Sequence, residues 1–291
     1  MHPFGELSAR RRQLGQTLRA LRADAGFSGE QLAERLGVSQ SRISRIELGQ
    51  QAAPADLVRR WAQEAAASED RVVELVEQAK AASTETVTLR AARTRGLGRL
   101  QQDGREFEAS AATILIFQPL LIPGLLQVPE YTRRLFAAGK PSHSPAEIAA
   151  AVAARMDRQL VLYEGKTRFE FVIAEAALRW RVGPPLVMLA QLDRVTALAG
   201  LDNVQIVVIP LDTEVDAWHE HGFTLLADRP DDDPVVHIET QTSAVTTTDP
   251  DEVAFYRHAF ARLQEAALHG READALLRRV RDDLLRSLAE Q

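Results

Sequence analysis

The chain contains no cysteine. That absence removes disulfides, thiolate metal sites and cysteine nucleophiles together. It also has no apolar run of the roughly 20 residues that a membrane-spanning helix takes. The longest apolar stretch, residues 113–126, is interrupted by Gln118, Pro119, Pro123 and Gly124. Arg10, Arg11 and Arg12 are followed by no apolar segment, which argues against a secretory signal. A cytoplasmic location without membrane association is therefore expected. A P-loop, Rossmann glycines, a nucleophile elbow and a zinc ligand set are all missing. The expectation is a non-enzyme with no catalytic residue, cofactor or metal.

What is present is ordinary globular material: 291 residues, 45% hydrophobic and 26% charged. That length suggests two domains, or one large one, with a sizeable core. The net charge of −6 is unevenly spread. Residues 1–60 hold ten arginines and no lysine against six acids, a net of +4, which leaves −10 for the remainder. A basic head on an acidic body keeps attraction for phosphate local.

Apolar spacing predicts five helices in the first part of the chain. Leu14, Leu18 and Leu21 mark one helix, ended by Gly26. Ser28 with Gln31 forms a capping-box pattern for a second, with Leu32, Ala33 and Leu36 inward. Gly37 stops it, Ser39 caps a third over residues 40–48, and Gly49 ends that one. Pro54 fits the first turn of a fourth, carrying Leu57, Val58 and Trp61. A fifth follows Ser68, with Val72, Leu75, Val76 and Ala79 on one side. Residues 83–106, with Ser83, Thr84, Gly96, Gly98 and Gly104, read as a linker or connecting helix. Beyond it, strands are predicted at 113–117, 168–174, 204–209, 223–227 and 235–240. Helices are predicted at 129–136, from Pro145 (capped by Ser144 and Glu147) to about Tyr163, at 185–199, from Asp249 to about Leu268, and at 273–288.

The segment with the clearest purpose is residues 27–49, FSGEQLAERLGVSQSRISRIELG. Two short helices meet at a tight turn on Gly37, the arrangement in which the second helix enters a major groove. Capping at Ser28 and Gln31 leaves the first helix's amides facing outward toward a phosphate. The second helix keeps Ile43 and Ile46 inward and turns Gln40, Ser41, Arg42, Ser44 and Arg45 mostly outward, with no acid before Glu47. Gln pairs bidentately with adenine and Arg with guanine, while Ser is tolerant. This pattern over residues 10–66 resembles the Cro/C1 and Xre type of DNA-binding domain. The resemblance implies that Gln40, Ser41 and Arg45 face base edges and that Arg42 and Ser44 reach a base or a phosphate. The cap residues Ser28, Gln31 and Ser39 are counted with them as expected DNA-binding residues. The resemblance also implies a partly buried ion pair, Arg22 with Glu47, locking the first helix to the third. Gly29 departs from the family, many of whose members carry a glutamine there to contact phosphate and brace the recognition helix.

The rest of the chain offers no defensible catalytic set. His219, Glu220 and His221 beside Trp218 supply alternating imidazoles without a third ligand, and read better as a packed loop or strand edge. Asp231, Asp232 and Asp233 before Pro234 read as an exposed turn rather than a cation site. Glu170, Glu175 and Glu239 are either paired acids or solvated edges. Ser243, Thr246, Thr247 and Thr248 form a polar run without phosphate-loop glycines. Residues 119–127 are equally a groove wall or core. The phrases LLIPGLLQVPEYTRRLF (120–136), RMDRQLVL (155–162), EAALRWRVG (175–183), VMLAQLDRVTALAGLDNVQIVVIPL (187–211) and GFTLLAD (222–228) resemble the C-terminal domain of actinobacterial WhiJ-type, antitoxin-like regulators. That resemblance implies a domain that dimerises, binds a small acidic partner protein encoded nearby, or senses a small-molecule ligand.

The expected architecture is α+β overall: an all-α, five-helix DNA-binding domain at 1–82, the linker at 83–106, and a mixed α/β regulatory or partner-binding domain at 107–291. The expected function is a sequence-specific transcriptional regulator acting on double-stranded DNA as a homodimer, controlled through its C-terminal domain. Apolar faces near 145–163 and 250–268 are the dimer candidates. The alternative is an antitoxin that chiefly sequesters a small toxic partner, with DNA binding for autoregulation.

Overall fold

A computed structural model describes residues 5–88, 104–105, 108, 111–139, 143–217, 220–228 and 233–290. Most of the expected linker, together with Trp218, His219, Asp231 and Asp232, lies outside the described residues. The chain forms a helical N-terminal region followed by mixed α/β structure, as its periodicities predict. Two compact units emerge: Met1–Val87 with Asp231–Val236 and Val245–Ala254, and Thr88–Pro230 with His237–Ala244 and Phe255–Gln291. No described helix is long and apolar enough to cross a membrane.

The first unit begins with α1 (Gly5–Asp24), α2 (Gly29–Leu36), α3 (Gln40–Glu47), α4 (Ala55–Glu64) and α5 (Glu69–Ser83). Their inward residues converge on one apolar cluster that includes Leu14, Leu18, Leu32, Ile43, Ile46, Trp61 and Leu75. Each is a residue whose spacing places it on an inner helical stripe. The short helices start where serine can satisfy their free amides. Ser28, Ser39 and Ser68 accept from the N–H groups of Gln31, Arg42 and Arg71, respectively. Helix α1 passes unusually close to the end of α3. A Cβ on Gly15 would stand 2.4 Å from the Ile46 carbonyl oxygen, so only glycine permits this approach.

The same unit takes in β1 (Thr84–Thr88), the start of β6 (Val235–Glu239) and most of β7 (Ser243–Thr247), in the order β1-β7-β6. Neither β1 nor β7 is expected from the sequence, which reads as connector and polar run at these places. Threonine suits a pleated, half-buried surface, and these strands are held by threonine pairing rather than by an apolar run. Thr84 and Thr247 meet through their hydroxyls at 3.0 Å. Thr248 donates its backbone N–H to the Ser83 carbonyl at 2.9 Å. Arg11 Nη2 donates to Thr248 Oγ1 at 2.6 Å, tying the start of α1 to the same corner.

The second unit is built on β2 (Thr113–Gln118), β3 (Arg168–Ala174), β4 (Val204–Ile209) and β5 (Phe223–Asp228), in the order β5-β2-β3-β4. The β2-β3 and β3-β4 pairs are parallel, while β5 runs antiparallel to β2. Parallel neighbours need helical crossovers. These are α6 (Pro129–Gly139) and α7 (Pro145–Arg158) between β2 and β3, then α8 (Glu175–Arg179) and α9 (Pro185–Leu198) between β3 and β4. The parallel strands are near-continuous apolar runs buried on both faces, as that layering requires. After α10 (Pro250–Glu265), α11 (Gly270–Ala289) packs on α9 and β4.

One predicted helix end shifts by more than a turn. Helix α7 keeps the predicted Ser144/Glu147 capping box but stops at Arg158 rather than near Tyr163, and Gln159–Tyr163 tightens into a 3-10 turn. At that junction the Gln159 side-chain amide nitrogen donates to the carbonyls of Gly124 and Gln127 at 3.0 and 2.8 Å. Residues 119–127 are part core and part surface. Ile122, Leu125 and Leu126 are buried, whereas Leu120 and Leu121 are exposed.

Candidate nucleic-acid interface

Helices α2 and α3 are joined at Gly37, whose φ of 67° closes the turn in the left-handed region. Gly37 donates its N–H back to the carbonyls of Ala33 and Glu34. Val38 then donates to Ala33 O at 3.0 Å, and Ser39 starts α3. The relative angle of the two helices is thus fixed by backbone bonds and by Leu32, Leu36, Ile43 and Ile46 beneath them.

The predicted lock between α1 and α3 is present. Arg22 Nε and Nη2 donate to the two carboxylate oxygens of Glu47 at 2.6 and 3.0 Å, and Nη1 donates to the Phe27 carbonyl at 2.7 Å. The bidentate bond to Glu47 raises the Arg22 guanidinium pKa above its ordinary value, against the opposing effect of partial burial. The pair also occupies the one carboxylate of α3, so the exposed polar face of that helix carries no acid.

The eight candidate side chains divide by what already engages them. Ser28 Oγ accepts the Gln31 N–H at 3.1 Å, and Gln31 Oε1 accepts the Ser28 N–H at 2.8 Å. Both side chains are therefore spent on the α2 cap. Ser39 Oγ caps α3 and meets Ser41 Oγ at 3.0 Å. Gln40, Ser41 and Arg45 are exposed, while Arg42 and Ser44 are half-buried. The buried Nε of Arg42 has no hydrogen-bond partner among the described residues. At Gly29 a Cβ would meet only the Gln40 side chain, at 3.7 Å from its Nε2. The glutamine at the start of α3 therefore lies over the place where a side chain on α2 is missing.

Arg45 also anchors the loop that leaves α3. Its carbonyl accepts the N–H groups of Gln50 and Gln51 at 2.8 and 3.3 Å. Past that point a distant residue of the same unit takes over. Asp233 Oδ1 accepts from Gln51 Nε2 at 3.0 Å, and Asp233 Oδ2 from the Ala52 N–H at 2.7 Å. Sequence reasoning finds Asp233 only as part of an acidic turn, since no spacing rule links positions 182 residues apart.

The remaining sequence candidates resolve separately. His221 Nε2 meets the Tyr256 hydroxyl at 3.0 Å. Glu170 pairs with Arg168 and accepts from Gln264, Glu175 holds Arg179 and the Leu211 N–H, and Glu239 meets His237. The three acids thus each have their own partners. Among the described residues no group of three His, Asp or Glu side chains is placed to hold a metal.

Two family models match the chain. One, described as a helix-turn-helix domain, matches residues 13–75, and the other, described as a domain of unknown function (DUF5753), matches residues 101–279. No curated protein matches the chain. Solved structures similar to it include the clp gene regulator ClgR from C. glutamicum, at 30% identity, covering 25% of this chain and 90% of that one with a TM-score of 0.21. Another is TrmBL2, an archaeal chromatin protein with a novel mode of DNA binding, at 13% identity, covering 87% and 92% with a TM-score of 0.32. Neither superposition bears on the fold of the whole chain.

Proposed function

The chain belongs to the family defined by the domain of unknown function DUF5753, carried behind a helix-turn-helix domain, and on that footing we propose that it is a sequence-specific transcription regulator. The observation that carries this reading is the outer face of α3. Gln40, Ser41 and Arg45 stand exposed there, with the one acid of the helix withdrawn to Arg22. In this reading Gln40, Ser41 and Arg45 address base edges, and Arg42 and Ser44 address a base or a phosphate. The caps at Ser28, Gln31 and Ser39 present backbone amides to the phosphates that position the domain.

The regulator works as a cytoplasmic, Xre-like homodimer, because one small helix-turn-helix seldom reads enough sequence alone. Phe255, exposed on α10, supports the dimer face expected near 250–268. A small partner protein or ligand acts through the C-terminal domain, residues 107–291. No catalysis is assigned.

Selection of bound sequences from genomic fragments with purified full-length protein tests the reading. The expected result is a palindrome with half-sites about one helical turn apart. Binding that is blind to sequence overturns it. Arg45→Ala should relax the preference at one position and cost about 1–3 kcal/mol of specific binding. If loss of this protein alone arrests growth while loss of a neighbouring small protein does not, the antitoxin role takes precedence over regulation.

A further inference from the structure

The last turn of α3 carries Arg45, and the chain leaves it as a loop rather than a helix. Residues 48–53 curl back so that Gln50 and Gln51 donate to the Arg45 carbonyl. Ala52 and Ala53 are buried at the bottom of this curl. A buried backbone N–H must find an acceptor. That of Ala52 finds Asp233 Oδ2 at 2.7 Å, and the neighbouring Gln51 amide binds Oδ1 of the same carboxylate. Bonds to a carboxylate are about twice as strong as neutral ones, and two of them fix direction as well as distance.

We propose that Asp233 is a positioning residue for the DNA-reading face: its carboxylate fixes the loop that leaves α3 and, through the Arg45 carbonyl, the orientation of the helix end that carries Arg45. This rests on the reading of α3 as the base-contacting helix. Asp233 lies two residues before β6, whose later residues, His237–Glu239, belong to the second unit. The loop beside the base-reading arginine is therefore held by a part of the chain that leads straight into the α/β region.

The sign of the effect separates positioning from charge. Removing an acid from a DNA-binding unit lessens repulsion of phosphate, and electrostatics alone would tighten binding. Loss of a positioning contact weakens it. In full-length protein, Asp233→Ala should lower affinity for the selected sequence about tenfold, equivalent to one charge-assisted bond partly transmitted. The salt slope of binding should stay unchanged, since Asp233 touches no phosphate in this scheme. Asp233→Asn keeps an acceptor for Ala52 and should recover part of the loss. Thr248→Val, which removes a downstream contact at Ser83 and Arg11 instead, should lower stability and leave sequence preference intact.

Amide exchange in the absence of DNA gives an independent readout. The Ala52 N–H should be protected in the natural protein and lose that protection in Asp233→Ala. Unchanged or tighter binding by Asp233→Ala overturns the proposal, as does an Ala52 amide that exchanges equally fast in both proteins. Should Asp233→Ala fail to fold, Asp233→Asn carries the same comparison. If the natural protein selects no sequence, the regulator reading fails, while Ala52 exchange still decides whether Asp233 holds the loop.

Discussion

The helical bundle of the first unit and the irregular segment of the second use polar side chains in opposite ways. In the first, the helical core is apolar, and polar residues serve at helix ends or stand exposed on α3. In the second, polar side chains are taken inside. Residues 119–127 form no ladder, so their backbone groups need partners from elsewhere. Tyr131 accepts the Ile122 N–H, Gln127 donates to the Ile122 carbonyl, and Gln191 bridges the Leu126 carbonyl and the Val128 N–H. Burial raises the Tyr131 phenol pKa above its ordinary value. Burial also lowers the pKa of Arg155, which donates to Gln127, to about 10. Nearby, Glu108 is only 2% exposed and is held by both Nε and Nη2 of Arg158. The contrast teaches what polar side chains do in each place: on the bundle they cap helices or face solvent, and around residues 119–127 they hold an irregular segment in place.

Breaking the Glu108 pair should give the largest effect. Glu108→Ala removes the buried carboxylate that binds Arg158 through two nitrogens, leaving Glu239 as a second acid acting on that charge, and should cost about 3 kcal/mol in denaturant unfolding. Gln191→Ala strands a buried acceptor at Leu126 and a part-buried donor at Val128 and should cost about 2–4 kcal/mol. A loss below about 1 kcal/mol would mean that water replaces the glutamine. In the first unit Ser39→Ala removes a cap bond and an exposed contact with the Ser41 hydroxyl, and should cost about 1 kcal/mol. Smallest is Arg45→Ala, which should leave the melting temperature within the range of a surface change of about 0.5 kcal/mol while altering DNA preference. A large loss of stability at Arg45 would erase the contrast between the two units.

Legibility follows the same division. The first five helices and their caps are readable because helix signals are local: serine three residues before its amide partner, glycine after the last turn, leucine on one stripe. The Arg22–Glu47 pair comes from resemblance and stands in the structure as that resemblance implies. Strands β2 to β6 show as apolar or β-branched runs. By contrast, β1 and β7 are threonine-rich, and their pairing depends on residues such as Thr84 and Thr247 that are distant in the chain. The end of α7 carries no local stop signal, and the residue there, Gln159, binds carbonyls 32 and 35 residues away. Of the acidic turn, only Asp233 is described, and its role depends on Gln51 and Ala52. Side-chain identity alone gives no hint of such long-range partners.

The reach of these contacts sets an order in time. Ribosomes deliver the helix-turn-helix first, but Gln51 waits for Asp233, 182 residues later, and Arg11 waits for Thr248, 237 residues later. At synthesis rates of about 5–20 residues per second, the first of these delays is roughly 10–40 s. A nascent chain therefore displays its recognition helix well before the loop beside Arg45 is fastened. Polypeptides released early from the ribosome would carry the basic head without the clasp and, if Asp233 acts as proposed, would be drawn to DNA by charge without the orientation needed to choose a sequence.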